Sequence, residues 1–299
     1  GRSLATQGRI NEADALLPKA AKLAPDSVEP HLALGEIHLS THKNFAQAEA
    51  HFIQALRIDG KLAGAHVGLA RTYFAQGKHE EAQKQIATGI SIAPRDPLPL
   101  LTAARIATAK GKIEDAHAYL QRAIDVAPQF SAPYLDKSDL YLLRNDVDNA
   151  IKTLRAATQT LKEPAPAWFR LGVAYQAAQR WDESEKAYLE TVRLDPKVFG
   201  AYNNLAFMMA ERKQKLDQAL TWIDSAIRIA PNNATLKDTK AWVLRAKGDL
   251  ASASRFGEQA QKLNPNDAAI AFHLGLIYHE QGKKKEAEQQ LSRGLKLNP

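Results

Sequence analysis

Apolar and small residues recur along this chain at helical spacing, in paired stripes separated by a short break. The clearest pair lies in residues 164 to 196, PAPAWFRLGVAYQAAQRWDESEKAYLETVRLDP. Trp168, Leu171, Gly172 and Tyr175 fall on one side of a helix. After the Gln179-Arg180 break, Trp181, Ser184, Tyr188 and Thr191 form a second stripe, and Asp195-Pro196 closes it because proline cannot continue a helix. The unit is a helical hairpin. Neither of its helices can bury its stripe alone, so the hairpin needs a neighbour on each side.

The rest of the chain supplies copies. Pro25, Gly60, Pro94, Pro128, Lys162, Pro196, Pro231, Pro265 and Pro299 end successive units and stand 34 or 35 residues apart. One in-phase position of the first helix is always small, carrying Gly35, Ala70, Ala104, Ser138, Gly172, Ala206, Ala241 and Gly275. Two positions of the second helix behave alike, from Ala13, Ala48 and Ala82 to Ala287, and from Ala20, Ala55 and Gly89 to Gly294. A hydrogen or methyl at such places lets a large residue of a facing helix fill the gap at close-packed density.

A 34-residue period of helix, turn and helix, with tryptophan, leucine, glycine and tyrosine on the first helix, resembles the tetratricopeptide repeat family. The resemblance implies an all-α fold, a right-handed superhelical solenoid of tandem helix-turn-helix hairpins. A partial repeat (second helix only) occupies residues 1–25. Full repeats follow at 26–60, 61–94, 95–128, 129–162, 163–196, 197–231, 232–265 and 266–299, in a single continuous array. The start at Gly1 and the stop on a repeat boundary are those expected of a fragment of a longer chain.

Gly8, Gly77, Gly111, Gly248 and Gly282 recur between the two helices, with Asn145 standing in once, as left-handed helix ends require. No GxGxxG or Walker pattern accompanies them. Two repeats carry an extra residue, near Thr41 to Asn44 and Arg212 to Lys215, which a longer inter-helix turn would absorb. Lys162 lacks the terminal proline and is followed by Pro164 and Pro166, a candidate bend or a plain turn. The repeat at 232–265 has Lys237 and Lys240 where large apolar residues are expected and Trp242 one position late, so its first helix is expected to be rotated or more exposed.

Composition narrows function by exclusion. The chain is 45% hydrophobic and 24% charged, and its formal charge of +7 comes from interleaved acids and bases with no basic run longer than Lys283-Lys284-Lys285. Nucleic acid is therefore not an expected partner. There is no cysteine, which removes disulfides, thiolate metal sites and cysteine nucleophiles. No apolar run approaches the roughly 18 residues of a membrane span. His38 and His42 have a chelating i, i+4 spacing with His31 and His51 nearby, but His42 falls in the inter-helix turn and no HExxH occurs, so they read as scattered surface histidines. Glu80-Glu81, Glu114-Asp115 and Asp182-Glu183 open second helices and suit the helix dipole. No catalytic triad, metal site or cofactor site can be argued, so the chain is expected not to be an enzyme.

In the tetratricopeptide family the first helices line a concave groove where partner peptides lie. Carried onto this chain, that groove offers Arg71, Arg105 and Asp139 in its N-terminal half. Its C-terminal half brings Phe169, Arg170, Asn203, Asn204, Phe207, Asp238, Trp242, Arg245, Phe272 and His273. Aromatic anchors with amides and a guanidinium dominate interface energetics. Phe207 and Phe272 can equally fill gaps between first helices, and Trp242 reads as exposed because Lys237 takes its core position. The lysine–asparagine order with which some family members grip a chaperone carboxylate is absent.

The expected function is a non-catalytic scaffold binding a protein or peptide partner. Asp238, Thr239 and Trp242 form an Asp-Thr-x-x-Trp stretch similar to repeats of bacterial proteins of exopolysaccharide and exosortase-linked export. That similarity implies a bacterial periplasm or cell envelope. The alternative is a substrate-recruiting or polysaccharide-binding segment of a larger enzyme or secretion pore, with Trp242, Phe207 and Phe169 stacking on sugars. Uncapped ends would also allow self-association.

Overall fold

The computed structural model describes residues 10–298. Among them the chain forms seventeen α-helices and no strand. It divides into two compact units, residues 1–153 with 160–162, and residues 154–159 with 163–299. Unit 1 holds α1 (Ile10–Leu23), the hairpins α2/α3 (Val28–Ile37, Phe45–Ile58), α4/α5 (Ala63–Ala75, His79–Ile92) and α6/α7 (Pro97–Ala109, Ile113–Val126), and α8 (Ser131–Leu143). The division runs through α9 (Val147–Thr160), just ahead of Pro164 and Pro166. Unit 2 holds α10/α11 (Ala165–Ala177, Trp181–Leu194), α12/α13 (Phe199–Glu211, Leu216–Ile229), α14/α15 (Ala234–Lys247, Leu250–Leu263) and α16/α17 (Ala268–Glu280, Lys284–Leu297).

Within each unit a second helix packs between its own first helix and the first helix of the next hairpin, and successive first helices also touch. First helices therefore form one layer and second helices the other, the arrangement of a hairpin solenoid. No helix among the described residues is long and apolar enough to cross a membrane.

Small residues on the first helices set the separation of the layers. The Tyr188 side chain of α11 is fully buried against Gly172 of α10, where a Cβ would lie 2.5 Å from its ring. Phe52 of α3 fills the same place in unit 1, between Gly35 and Gly68. Ser184, at a position that elsewhere carries alanine, is buried and donates its hydroxyl to the Gly172 carbonyl at 2.9 Å. Its polarity is thus satisfied inside the core.

The turns follow the glycine pattern, with Gly77, Gly111, Gly248 and Gly282 at φ between 70° and 86° and Asn145 at 57°. Gly8 lies outside the described residues. Gln179 takes the same left-handed conformation at 57°. The extra residue at Arg212 to Lys215 is absorbed in the turn, where Lys213 and Lys215 are both left-handed. The one near Thr41 is absorbed differently from expectation. The end of α2 widens into a π-helical turn, His38–His42, before the left-handed Lys43. A π turn takes in a residue while keeping Leu39 buried, and Asn44 still caps α3 by accepting from the Gln47 amide.

The expectation that the first helix of residues 232–265 is rotated or more exposed is corrected. Leu236, Ala241, Val243 and Leu244 of α14 are all buried. Lys240 lays its ammonium 4.4 Å from the centre of the Phe256 ring and pairs with Asp224 at 2.6 Å. Its aliphatic stem thus substitutes for an apolar side chain.

Glycine-to-alanine exchanges in helices should therefore differ in sign by position. Gly64 of α4 has nothing within 4 Å of its missing Cβ, so Gly64→Ala should stabilise by up to roughly 1 kcal/mol. Gly172→Ala should instead lower the urea midpoint, because overpacking against Tyr188 costs about 1–3 kcal/mol. Equal shifts in the two variants would show that Tyr188 does not set the layer spacing.

Candidate functional site

In unit 2 the first helices α10, α12, α14 and α16 present equivalent positions side by side. Phe169 of α10 is half-buried and reaches the position of a Cβ on Gly200, so it fills the gap between α10 and α12. Arg170 and Phe207 are half-buried, while Phe272 of α16 is 50% exposed. Asn204 donates to the Tyr188 hydroxyl at 3.1 Å, and that hydroxyl donates to Gln176 Oε1 at 2.9 Å. Burial pushes the hydroxyl up to about 12, which keeps it a donor. Asn203 donates to Asn204 Oδ1 at 3.3 Å, and its own Oδ1 is buried without a partner.

Trp242 of α14 differs from the exposed ring expected of it. It is half-buried against the core of unit 2, and its indole N–H donates to Glu211 of α12. The Arg245 guanidinium lies 4.3 Å from the ring centre, and the His273 ring centre lies 4.2 Å away. Arg245 donates in turn to Glu280 of α16 at 3.0 Å. His273 donates from Nδ1 to Asp238 Oδ2 at 2.7 Å, since an ionised carboxylate only accepts. Asp238 is 6% exposed, and its Oδ1 has no partner.

Unit 1 places its predicted residues in a similar pattern. Arg71 of α4 pairs with Glu36 of α2 at 2.7 Å, and Arg105 of α6 with Asp136 of α8 at 2.6 Å. Asp139 is half-buried on α8. Arg71 and Arg105 both line a concave pocket of about 700 Å³ whose walls are Leu32, Ile37, Val67, Phe74, Leu98 and Leu101.

Arg71, Arg105, Asp238, Trp242, Arg245 and His273 thus serve as rungs between consecutive first helices. Their partners Glu36, Asp136, Glu211 and Glu280 escaped the sequence reading, although each stands 31 or 35 residues from its mate. A second ladder joins four second helices, α3, α7, α11 and α13, to the end of the next first helix or its turn, through Glu49–Lys78, Glu114–Arg144, Glu185–Lys215 and Asp217–Lys247. Glu114, read as a dipole-favouring acid, is thus also a rung. Exposed pairs of this kind contribute about 0–1 kcal/mol each.

Three of the histidines read as scattered, His31, His38 and His51, are gathered in unit 1, while the His42 side chain lies outside the described residues. His51 of α3 stacks on His38 with ring centres 5.5 Å apart, and its Nδ1 lies 3.3 Å from Nδ1 of His31. Burial, then the charges of His38 and His31, bring His51 down to about 4, and burial lowers His31. Among the described residues no group of three or more histidine or acidic side chains is placed to hold a metal ion.

Stacked helical hairpins that offer a row of first helices define a helical repeat protein. Tetratricopeptide repeat profiles match residues 1–63, 41–106, 107–165, 165–198 and 244–299, most of the chain, which therefore belongs to the tetratricopeptide repeat family. The anaphase-promoting complex subunit CDC16 of Saccharomyces cerevisiae is 27% identical over 158 residues, 53% of this chain and 19% of that protein. The protein O-mannosyl-transferase TMTC3 of Homo sapiens is 24% identical over 266 residues, 87% of this chain and 27% of that protein. The chain spans between a fifth and about a quarter of the length of these curated relatives. Among solved structures, a tetratricopeptide repeat protein from Parabacteroides merdae superposes with a TM-score of 0.55 at 17% identity, covering 84% of this chain and 98% of that one. The likeness is one of fold.

The histidine cluster gives unit 1 a pH dependence of definite sign. The unfolded chain binds protons at His51 more readily than the folded one, so this contribution to stability is complete above about 6.5 and is lost as pH falls towards about 4. The melting temperature of the wild type should fall more between pH 7 and pH 5 than that of His51→Leu. Parallel curves for the two proteins would refute the assignment.

Proposed function

We propose that this chain is a non-catalytic protein-interaction scaffold that holds partner segments on the first-helix face of each unit. The observation that carries the reading is the convergence of Trp242, Arg245, Phe272 and His273 on neighbouring first helices, with Asn203 and Asn204 on the helix before them. Aromatic rings and guanidinium groups are the side chains on which interface energies concentrate, and amides supply both donor and acceptor to a peptide backbone. The apolar pocket flanked by Arg71 and Arg105 gives unit 1 a face of the same kind. Tetratricopeptide repeat proteins bind protein partners, and CDC16 is by name a subunit of a larger complex.

The transferase relative supports a second reading, in which such an array recruits substrate for a catalytic part of a larger protein. Direct polysaccharide binding draws less support, because Arg245 and His273 already lie against the Trp242 ring. A place in bacterial envelope export rests on the Asp238, Thr239 and Trp242 resemblance alone, and here Asp238 and Thr239 are buried.

Panning a random peptide library against the protein tests the reading. Selected peptides should bind the wild type and an α15 surface variant, Lys262→Ala, equally. They should bind the Asn203→Ala/Arg245→Ala/Phe272→Ala variant at least about tenfold more weakly, with circular dichroism unchanged. Undiminished binding to the triple variant would remove the site from this face.

A further inference from the structure

Asp238 stands apart from the other rungs. It is 6% exposed, one carboxylate oxygen accepts from His273, and the other accepts from nothing. At the equivalent position of the preceding first helix, Asn203 Oδ1 is also buried and without a donor. A carboxylate withdrawn from water needs donors to both oxygens, and unmet demand of this kind is what a ligand can satisfy.

The surroundings specify the ligand's charge. The contacts joining α12, α14 and α16 use three carboxylates, Glu211, Asp238 and Glu280, against one guanidinium, Arg245. This local acidity runs against the formal charge of +7 on the whole chain. Phe272, 50% exposed, has its ring centre 6.3 Å from that of His273, which donates to the carboxylate and is itself 17% exposed on its side chain. Exposed aromatic surface next to a carboxylate suits a cation on an aliphatic stem.

We infer that the first-helix face of unit 2 selects a partner segment carrying an arginine, whose guanidinium displaces the His273 side chain and serves both oxygens of Asp238. This rests on the interaction reading above and adds the chemistry of the ligand. A guanidinium fork supplies two parallel donors to a carboxylate, which an ammonium cannot do with the same geometry.

Four pools of short, end-blocked peptides, random except for a central arginine, lysine, citrulline or glutamate, provide the test by fluorescence polarisation. The arginine pool should bind at least about tenfold more tightly than the citrulline and glutamate pools, with lysine between. Asp238→Asn should erase the difference between arginine and citrulline. Should that variant misfold, the wild-type resonances of the His273 ring and the Trp242 indole N–H must still move with the arginine pool and stay fixed with the citrulline pool. Equal binding of arginine and citrulline, or preference for glutamate, overturns the inference while leaving a peptide-binding face in place. Binding of none of the pools overturns both readings.

Discussion

A large side chain set against a residue with no side chain is the contact on which this molecule depends. Tyr188 against Gly172, and Phe52 against Gly35 and Gly68, fix how closely first and second helices approach. Close-packed interiors tolerate little change of volume, so this one contact also fixes the height at which neighbouring first helices meet. The rungs between first helices are possible because that height repeats. Glu36 finds Arg71, and Arg245 finds Glu280, because each hairpin is delivered to its neighbour at the same level.

Most polar groups on the first-helix faces are therefore already engaged. A partner that binds there exchanges one set of hydrogen bonds for another, which contributes less to affinity than to discrimination between partners. The Arg71–Glu36 and Arg105–Asp136 pairs are substantially exposed and can be exchanged at small cost. Asp238 is the exception, because its second oxygen has nothing to give up. The unit that carries it has a chemical preference built into its burial pattern, whereas the pocket of unit 1 offers shape, apolar walls and balanced charge.

The fold was legible because its requirements are local and recur. A small residue at Gly172, Ala206, Ala241 and Gly275, and glycine at the turns, state the hairpin repeatedly. The site was legible only as a set of positions. Nothing in a single sequence says that Trp242 turns its N–H to Glu211, since that depends on side-chain direction across two helices. Lys240 misled for a related reason: its charge suggested exposure, while its stem does the packing. His31, His38 and His51 lie on α2, its π turn and α3, and only the folded register brings their rings together. The π turn after α2 was beyond periodicity, because an added residue can be taken up either by a turn or by a widened helix end.

The rungs bear on how such a chain can have grown. Arrays of this kind lengthen by duplication of whole hairpins, and the layer contacts permit it, since every hairpin carries its own small residues. The groove does not permit it freely. A copy inserted after α3 would separate Glu36 from Arg71, and one inserted after α15 would part Asp238 from His273 and Arg245 from Glu280. Each hairpin is interchangeable in its packing and particular in its polar neighbours, so the order of the hairpins is itself an inherited feature of the surface.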